Sequence, residues 1–142
     1  MCQVTLSNVR VRLARVRELG LKILRSELVR TMDEAKWDQM MFFSPDEFVA
    51  PEKMRYELIR KLDEARFTAG IPFVITSSWR SDSKEHSLGE AVDIRCSDGF
   101  ARLQIVRALL VRGFPRIGVY DRHIHAGISR SLPDSLWTGV SK

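Results

Sequence analysis

Between residues 52 and 129 the hydrophobic period of the chain changes several times, and these changes constrain the fold more than any other feature. Met54, Leu58, Leu62, Ala65 and Ala69 recur at helical spacing. They predict an amphipathic helix over 52–69 with that stripe buried, stopped by Gly70 and Pro72. Phe73-Val74-Ile75-Thr76 is a short run rich in β-branched side chains and reads as a buried strand. Residues 77–90 are polar and loop-like, Ala91 to Arg95 is the next strand, and Phe100 to Arg112 is a second helix ended by Gly113. Ile117 to Asp121 and His123 to Ser129 then read as the last strands, or as one long strand with a bend. Helices alternating with short strands in one unit predict an α+β domain with a small antiparallel sheet flanked by helices.

The flanking segments carry less pattern. Val9, Leu13, Val16, Ile23, Leu24, Leu28 and Met32 predict one helix over 5–36, or two broken near Gly20. Residues 42–51 are a connecting segment with Ser44-Pro45 as a turn or helix start, and the tail after Pro133 reads as a loose appendage. The expected division is a basic amphipathic segment 1–41, a site-bearing domain 42–132 and a tail 133–142. The formal charge is +5, and much of the excess lies in Arg10, Arg12, Arg15, Arg17, Lys22, Arg25 and Arg30. Such a surface favours polyanionic partners, among them nucleic acid, anionic lipid and anionic envelope polymers. Its bland reading is a helix packed on the domain with its arginines solvated. No apolar stretch is long enough to span a bilayer, and no signal core followed by a small-residue cleavage site is evident. Synthesis in the cytoplasm without a signal peptide is therefore expected. Cys2 and Cys96 are far apart and outside any CxxC pair, which indicates neither a disulfide framework nor a cysteine metal site.

All three histidines fall in two short runs, Glu85-His86-Ser87-Leu88-Gly89-Glu90-Ala91-Val92-Asp93-Ile94 and Tyr120-Asp121-Arg122-His123-Ile124-His125. Strand alternation puts Ala91, Asp93 and Arg95 on one face and Val92 and Ile94 on the other. The same rule groups Asp121, His123 and His125. If the two strands are neighbours, Asp93 and His125 lie opposite each other with Cβ atoms about 4.5–5.5 Å apart. Both then reach one divalent ion. His86 arrives from the preceding loop, and Gly89 lets the backbone turn there without a side chain in the way. Two imidazoles and a carboxylate are a three-ligand set that leaves a fourth position on zinc open for water. Without a metal, a strand carboxylate buried with no charged partner is costly.

The pattern His86-x-x-Gly89-x-Ala91-x-Asp93, followed some thirty residues later by the Ile124-His125 pair, resembles the zinc D-Ala-D-Ala metallopeptidases. That group includes D,D-carboxypeptidases, L-alanyl-D-glutamate endopeptidases of phage lysis systems, and the hedgehog signalling domain. The resemblance covers about residues 44–129 and draws on Phe43-Ser44-Pro45-Asp46-Glu47-Phe48, Ile71 to Ser77, Arg80 and Gly113-Phe114. It implies a hedgehog/DD-peptidase-like fold, zinc held by His86, Asp93 and His125, and Arg80 holding a substrate carboxylate or carbonyl. The acidic base common in the family stands three residues before the last histidine, where this chain has Arg122. Asp121 is the candidate in its place. An Asp that some relatives carry two residues after that histidine is Gly127 here, and the position two before the first ligand, often a hydroxyl residue, is Lys84.

Three functions follow. The first is a zinc peptidase on peptidoglycan stem peptides, of phage, prophage or bacterial lytic type, released to act on the cell wall. Asp121 is its base, and Arg80 with His123 its substrate and oxyanion contacts. The structural alternatives are pairing with Arg95 or a turn cap for Asp93, a turn role for Asp121 beside Arg122, a solvated strand position for His123, and an ion pair to Asp82 or Glu85 for Arg80. The second function is a non-catalytic zinc or cell-wall binding module of the same fold. The third, nucleic-acid binding by the arginine-rich N-terminal segment, lacks aromatic stacking motifs and a reader fold.

Overall fold

A computed structural model of the protein describes residues 31–141. Helix α1 spans Glu34–Trp37, α2 spans Tyr56–Ala69 and α3 spans Gly99–Val111, with single 3-10 turns at Pro45–Glu47, Pro51–Lys53 and His86–Leu88. The strands are β1 Ile75–Ser77, β2 Ala91–Arg95, β3 Arg116–Val119, β4 His123–Gly127 and β5 Ser135–Thr138. They form one sheet in the order β1-β2-β4-β3-β5. The α+β class is as expected from the sequence. The sheet is mixed rather than purely antiparallel, because β5 runs parallel to β3 while the other pairs are antiparallel.

Register decides what each face carries. Val92 pairs with Ala126 and Ile94 with Ile124 across β2 and β4, and β3 adds Ile117 opposite Ala126. Residues directly opposite share a face. This face is apolar and packs with Leu58, Ile59, Leu62 and Ala65 of α2 and Ile105, Ala108 and Leu109 of α3 in one buried core. Each buried Val, Leu or Ile among them contributes roughly 1.5–3 kcal/mol, so the register is pinned. The alternate positions form the row Ser77, Asp93, His125, Gly118 and Trp137, one residue from each of β1, β2, β4, β3 and β5. Apolar packing of β2, β4 and β3 on one side therefore presents this row on the other.

Local chemistry explains most boundaries. Gly70 adopts φ +65° and closes α2 through a backbone bond to Arg66. Asp98 caps α3 by accepting from the Ala101 N–H at 2.8 Å. The helix expected from residue 52 begins four residues later. Pro51–Lys53 forms its own turn, and the Met54 carbonyl accepts from the Met32 N–H at 2.9 Å. That bond belongs to a bridge between Thr31 and Arg55, so the helix expected to reach residue 36 is interrupted at 31–33. Asp33 then caps the separate α1. Residues 31–41 accordingly belong to the compact unit that begins at Thr31, with Met32 and Trp37 in its core. The rest of the expected N-terminal helix, with its arginines, and Cys2 ahead of it lie outside the described residues.

Two further expectations are corrected. Phe73 is buried, but the strand after it starts at Ile75 and forms a sheet edge, which leaves Val74 exposed. The segment after Pro133 is not a loose appendage: Ser135–Thr138 pairs with β3 over its whole length. Among the described residues no helix is long and apolar enough to cross a membrane.

Candidate metal centre

His86, Asp93 and His125 are all buried, and one ligand atom from each lies within 4.8 Å of the others. The convergence follows from the backbone. Asp93 and His125 are register partners on neighbouring strands, and their Oδ1 and Nδ1 atoms are 3.0 Å apart. His86 enters from the 3-10 turn before β2, with Nε2 3.5 Å from the same Asp93 oxygen. Gly89 closes that turn at φ +67°, and a Cβ there would sit 2.1 Å from the Lys53 carbonyl oxygen. No other residue fits both the conformation and the approach.

The His86 ring is fixed by its far side. Its Nδ1–H donates to the Ser78 carbonyl at 2.6 Å, which puts the lone pair on Nε2. Ser78 is itself buried, its hydroxyl accepting from the Val49 N–H at 2.7 Å. His86 Nε2 is fully buried and has no hydrogen-bond partner among the described residues. A buried acceptor left unpaired costs about 1–3 kcal/mol. One aimed at a carboxylate and a second imidazole is accounted for by a cation between them. The three residues therefore fit a divalent metal, and a set of two imidazoles and one carboxylate suits first-row ions.

The charges agree with this geometry. Burial disfavours the Asp93 carboxylate, but the hydrogen bond from His125 and the neighbouring His86 outweigh it and hold the group well below the usual carboxylate range. Burial also opposes charge on His125, whose two nitrogens face Asp93 and Glu85; these carboxylates prevail and raise its pKa above 6.5. A proton on His125 and a metal would thus compete for the same lone pair.

A cleft of about 840 Å³ opens over Asp93 and His125, and its lining also includes Arg80, His123 and Asp121. Arg80 is half-exposed, with Nη2 3.9 Å from Asp93 Oδ2 and Nε 3.6 Å from Asp82 Oδ1. Both its expected neighbours, the site and the adjacent acid, are within reach. His123 starts β4 on the same face as His125, stacks on Tyr120 at 4.4 Å, and has Nε2 4.0 Å from Asp93 Oδ1. Asp121 falls outside the strands: β3 ends at Val119, and Asp121 lies in the turn before β4. Its exposed carboxylate accepts from the Ser141 N–H at 2.7 Å and lies 3.7 Å from Arg122. The Ser141 bonds lower its pKa.

Several contributors were not singled out from the sequence as site residues. Glu85 is buried, with Oε2 3.2 Å from His125 Nε2 and Oε1 accepting from Arg116 Nε at 2.9 Å. Trp137 of β5 lies over Gly118, where a Cβ would be 2.6 Å from the indole, and its ring centroid is 5.4 Å from that of His125. Its Nε1–H donates to the Tyr120 hydroxyl at 3.0 Å. Glu85 sits in a polar run and reads as solvated. The available signal was the pair of strand glycines, Gly118 and Gly127, since glycine inside a strand often marks a close approach.

No model of a known protein family matches the chain, and no curated protein matches it.

Proposed function

We propose that the protein is a zinc-dependent peptidase that cleaves peptidoglycan stem peptides, as an endopeptidase or a D,D-carboxypeptidase. The observation that carries the reading is the buried, unpartnered His86 Nε2, aimed at Asp93 and His125 at the floor of an open cleft. The spacing of these three residues, with its resemblance to the zinc D-Ala-D-Ala metallopeptidases, supports the choice of zinc and substrate. When bound, zinc polarises a peptide carbonyl and lowers the pKa of water toward about 7. Asp121 accepts the proton of the attacking water and returns it to the leaving amine. The N–H of Ser141 keeps that carboxylate ionised and oriented at the cleft rim. Arg80 engages a substrate carboxylate or carbonyl, and His123 donates to the oxyanion that develops on the carbonyl. Released from the cytoplasm, the arginine-rich segment before residue 31 would favour the anionic envelope.

One observation favours a second reading, a non-catalytic zinc or cell-wall binding module. Asp121 is already engaged by Ser141 and its lowered pKa makes it a weak base. Mass spectrometry of purified murein incubated with the protein, with and without chelator, separates the two. The peptidase reading expects new stem-peptide fragments that disappear with chelator and with His86→Ala or Asp93→Ala. Zinc and murein binding without fragments selects the binding module. Fragments that survive in His86→Ala overturn the metal mechanism.

A further inference from the structure

Gly127 ends β4 two residues after His125, and the space its side chain would occupy is already taken. A Cβ built there lies 2.5 Å from Glu85 Oε1 and 3.2 Å from His125 Nε2. Glu85 comes from the other end of the site, one residue before His86, yet its carboxylate crosses to the back of the His125 ring. There it meets Nε2 at 3.2 Å, while the opposite nitrogen, Nδ1, is the one turned toward Asp93. Arg116 holds Glu85 in place at 2.9 Å and is itself the register partner of Gly127 on β3. Arg116 is pinned in turn: its guanidinium lies 5.1 Å from the Trp137 ring centroid and it donates to the Pro133 carbonyl. The Glu85 and Arg116 side chains are largely shielded from solvent and His125 is buried, so the carboxylate is not a mobile surface acid.

Resting on the metal reading of the site, we infer that Glu85 is a positioning residue: its carboxylate takes the Nε2–H of His125 and leaves the Nδ1 lone pair for the ion. A ligating imidazole needs a fixed tautomer, and an acceptor on the far nitrogen supplies it. Ser78 does this for His86 through a backbone carbonyl. Glu85 does it for His125 through a side chain that only a glycine at 127 admits. The two positions are therefore coupled. An acid at 127 would stand opposite Arg116 and beside His125 Nε2, where it could replace Glu85 but not coexist with it.

Zinc affinity, measured by competition with a chromophoric chelator, tests this together with the unfolding midpoint of the metal-free protein. Glu85→Ala is expected to weaken zinc binding roughly 10- to 100-fold, and the isosteric Glu85→Gln, whose amide oxygen can still accept from the His125 Nε2–H, less. Gly127→Ala should act like Glu85→Ala, because its methyl displaces the Glu85 carboxylate. The pair Glu85→Ala with Gly127→Asp should recover most of the affinity lost by Glu85→Ala alone. Recovery of affinity is not what a purely structural role would give. Unchanged zinc affinity in folded Glu85→Ala, or a double variant no better than Glu85→Ala, overturns the inference. In those cases tight zinc binding by the unaltered protein leaves the metal centre standing. If the unaltered protein takes up no zinc, the metal centre falls and the role of Glu85 falls with it.

Discussion

Gly118→Ala distinguishes a structural tail strand from a dangling one by the sign of its effect. Gly118 sits in β3 between His125 and Trp137 in that cross-strand row. A Cβ there would lie 2.6 Å from two indole carbons and 2.8 Å from the indole nitrogen, against an ordinary contact of 3.4 Å or more. The ring would have to retreat by close to an ångström. It is not free to do so: Nε1–H is bonded to Tyr120, Arg116 lies over one face, and β5 is tied to β3. Overpacking of this kind costs about 1–3 kcal/mol. Removing a glycine where alanine fits gains about 0.4–1 kcal/mol by restricting the unfolded chain. The balance is a loss of roughly 1–2 kcal/mol, or about 3–10 °C in Tm for a domain of this size. Thermal unfolding of the chelator-treated protein, followed by circular dichroism, reads it directly. A Tm that stays level or rises would mean that Trp137 does not cover Gly118 and that β5 is no part of the site wall.

Two other expectations concern protons and a buried carboxylate. The His125 pKa is raised above 6.5 in the metal-free fold, so its contribution to stability is complete below pH 6.5 and is lost as pH rises through the folded value. Chelator-treated protein should therefore lose Tm over that window, while zinc-loaded protein gains it as the competing proton leaves. Parallel melting curves across pH check this, and identical trends with and without zinc would contradict it. Asp63 on α2 accepts from the Met41, Phe42 and Phe43 N–H groups at 3.0, 2.8 and 3.2 Å. Asp63→Ala strands those donors and should cost at least about 2–3 kcal/mol in urea unfolding. A cost below half of that would show that water satisfies them.

What could be read in the sequence followed the strength of each periodic signal. Val92 and Ile94 bracketing Asp93 gave both the strand and the face of the carboxylate, because period-2 alternation leaves no other solution. The same logic put His125 on one face of its strand, and its pairing with Asp93 depended on the two strands being neighbours, as they are. Gly89 and Gly113 marked turns, and both have positive φ. The helix start at Tyr56 was missed because Met54 keeps the helical period while its carbonyl is committed to Met32, a long-range bond that propensity cannot express. β5 was missed because four residues with only Leu136 and Trp137 apolar carry little pattern; parallel pairing with β3 makes it a strand. Glu85 was missed because its burial depends on an empty Cβ position 42 residues away, at Gly127.

The most direct test of the metal centre is anomalous scattering at the zinc edge from crystals grown with zinc. The account predicts one strong peak within bonding distance of His86 Nε2, an Asp93 carboxylate oxygen and His125 Nδ1, absent from crystals of His86→Ala. Full zinc occupancy elsewhere on the chain, or none at these three atoms, would contradict it.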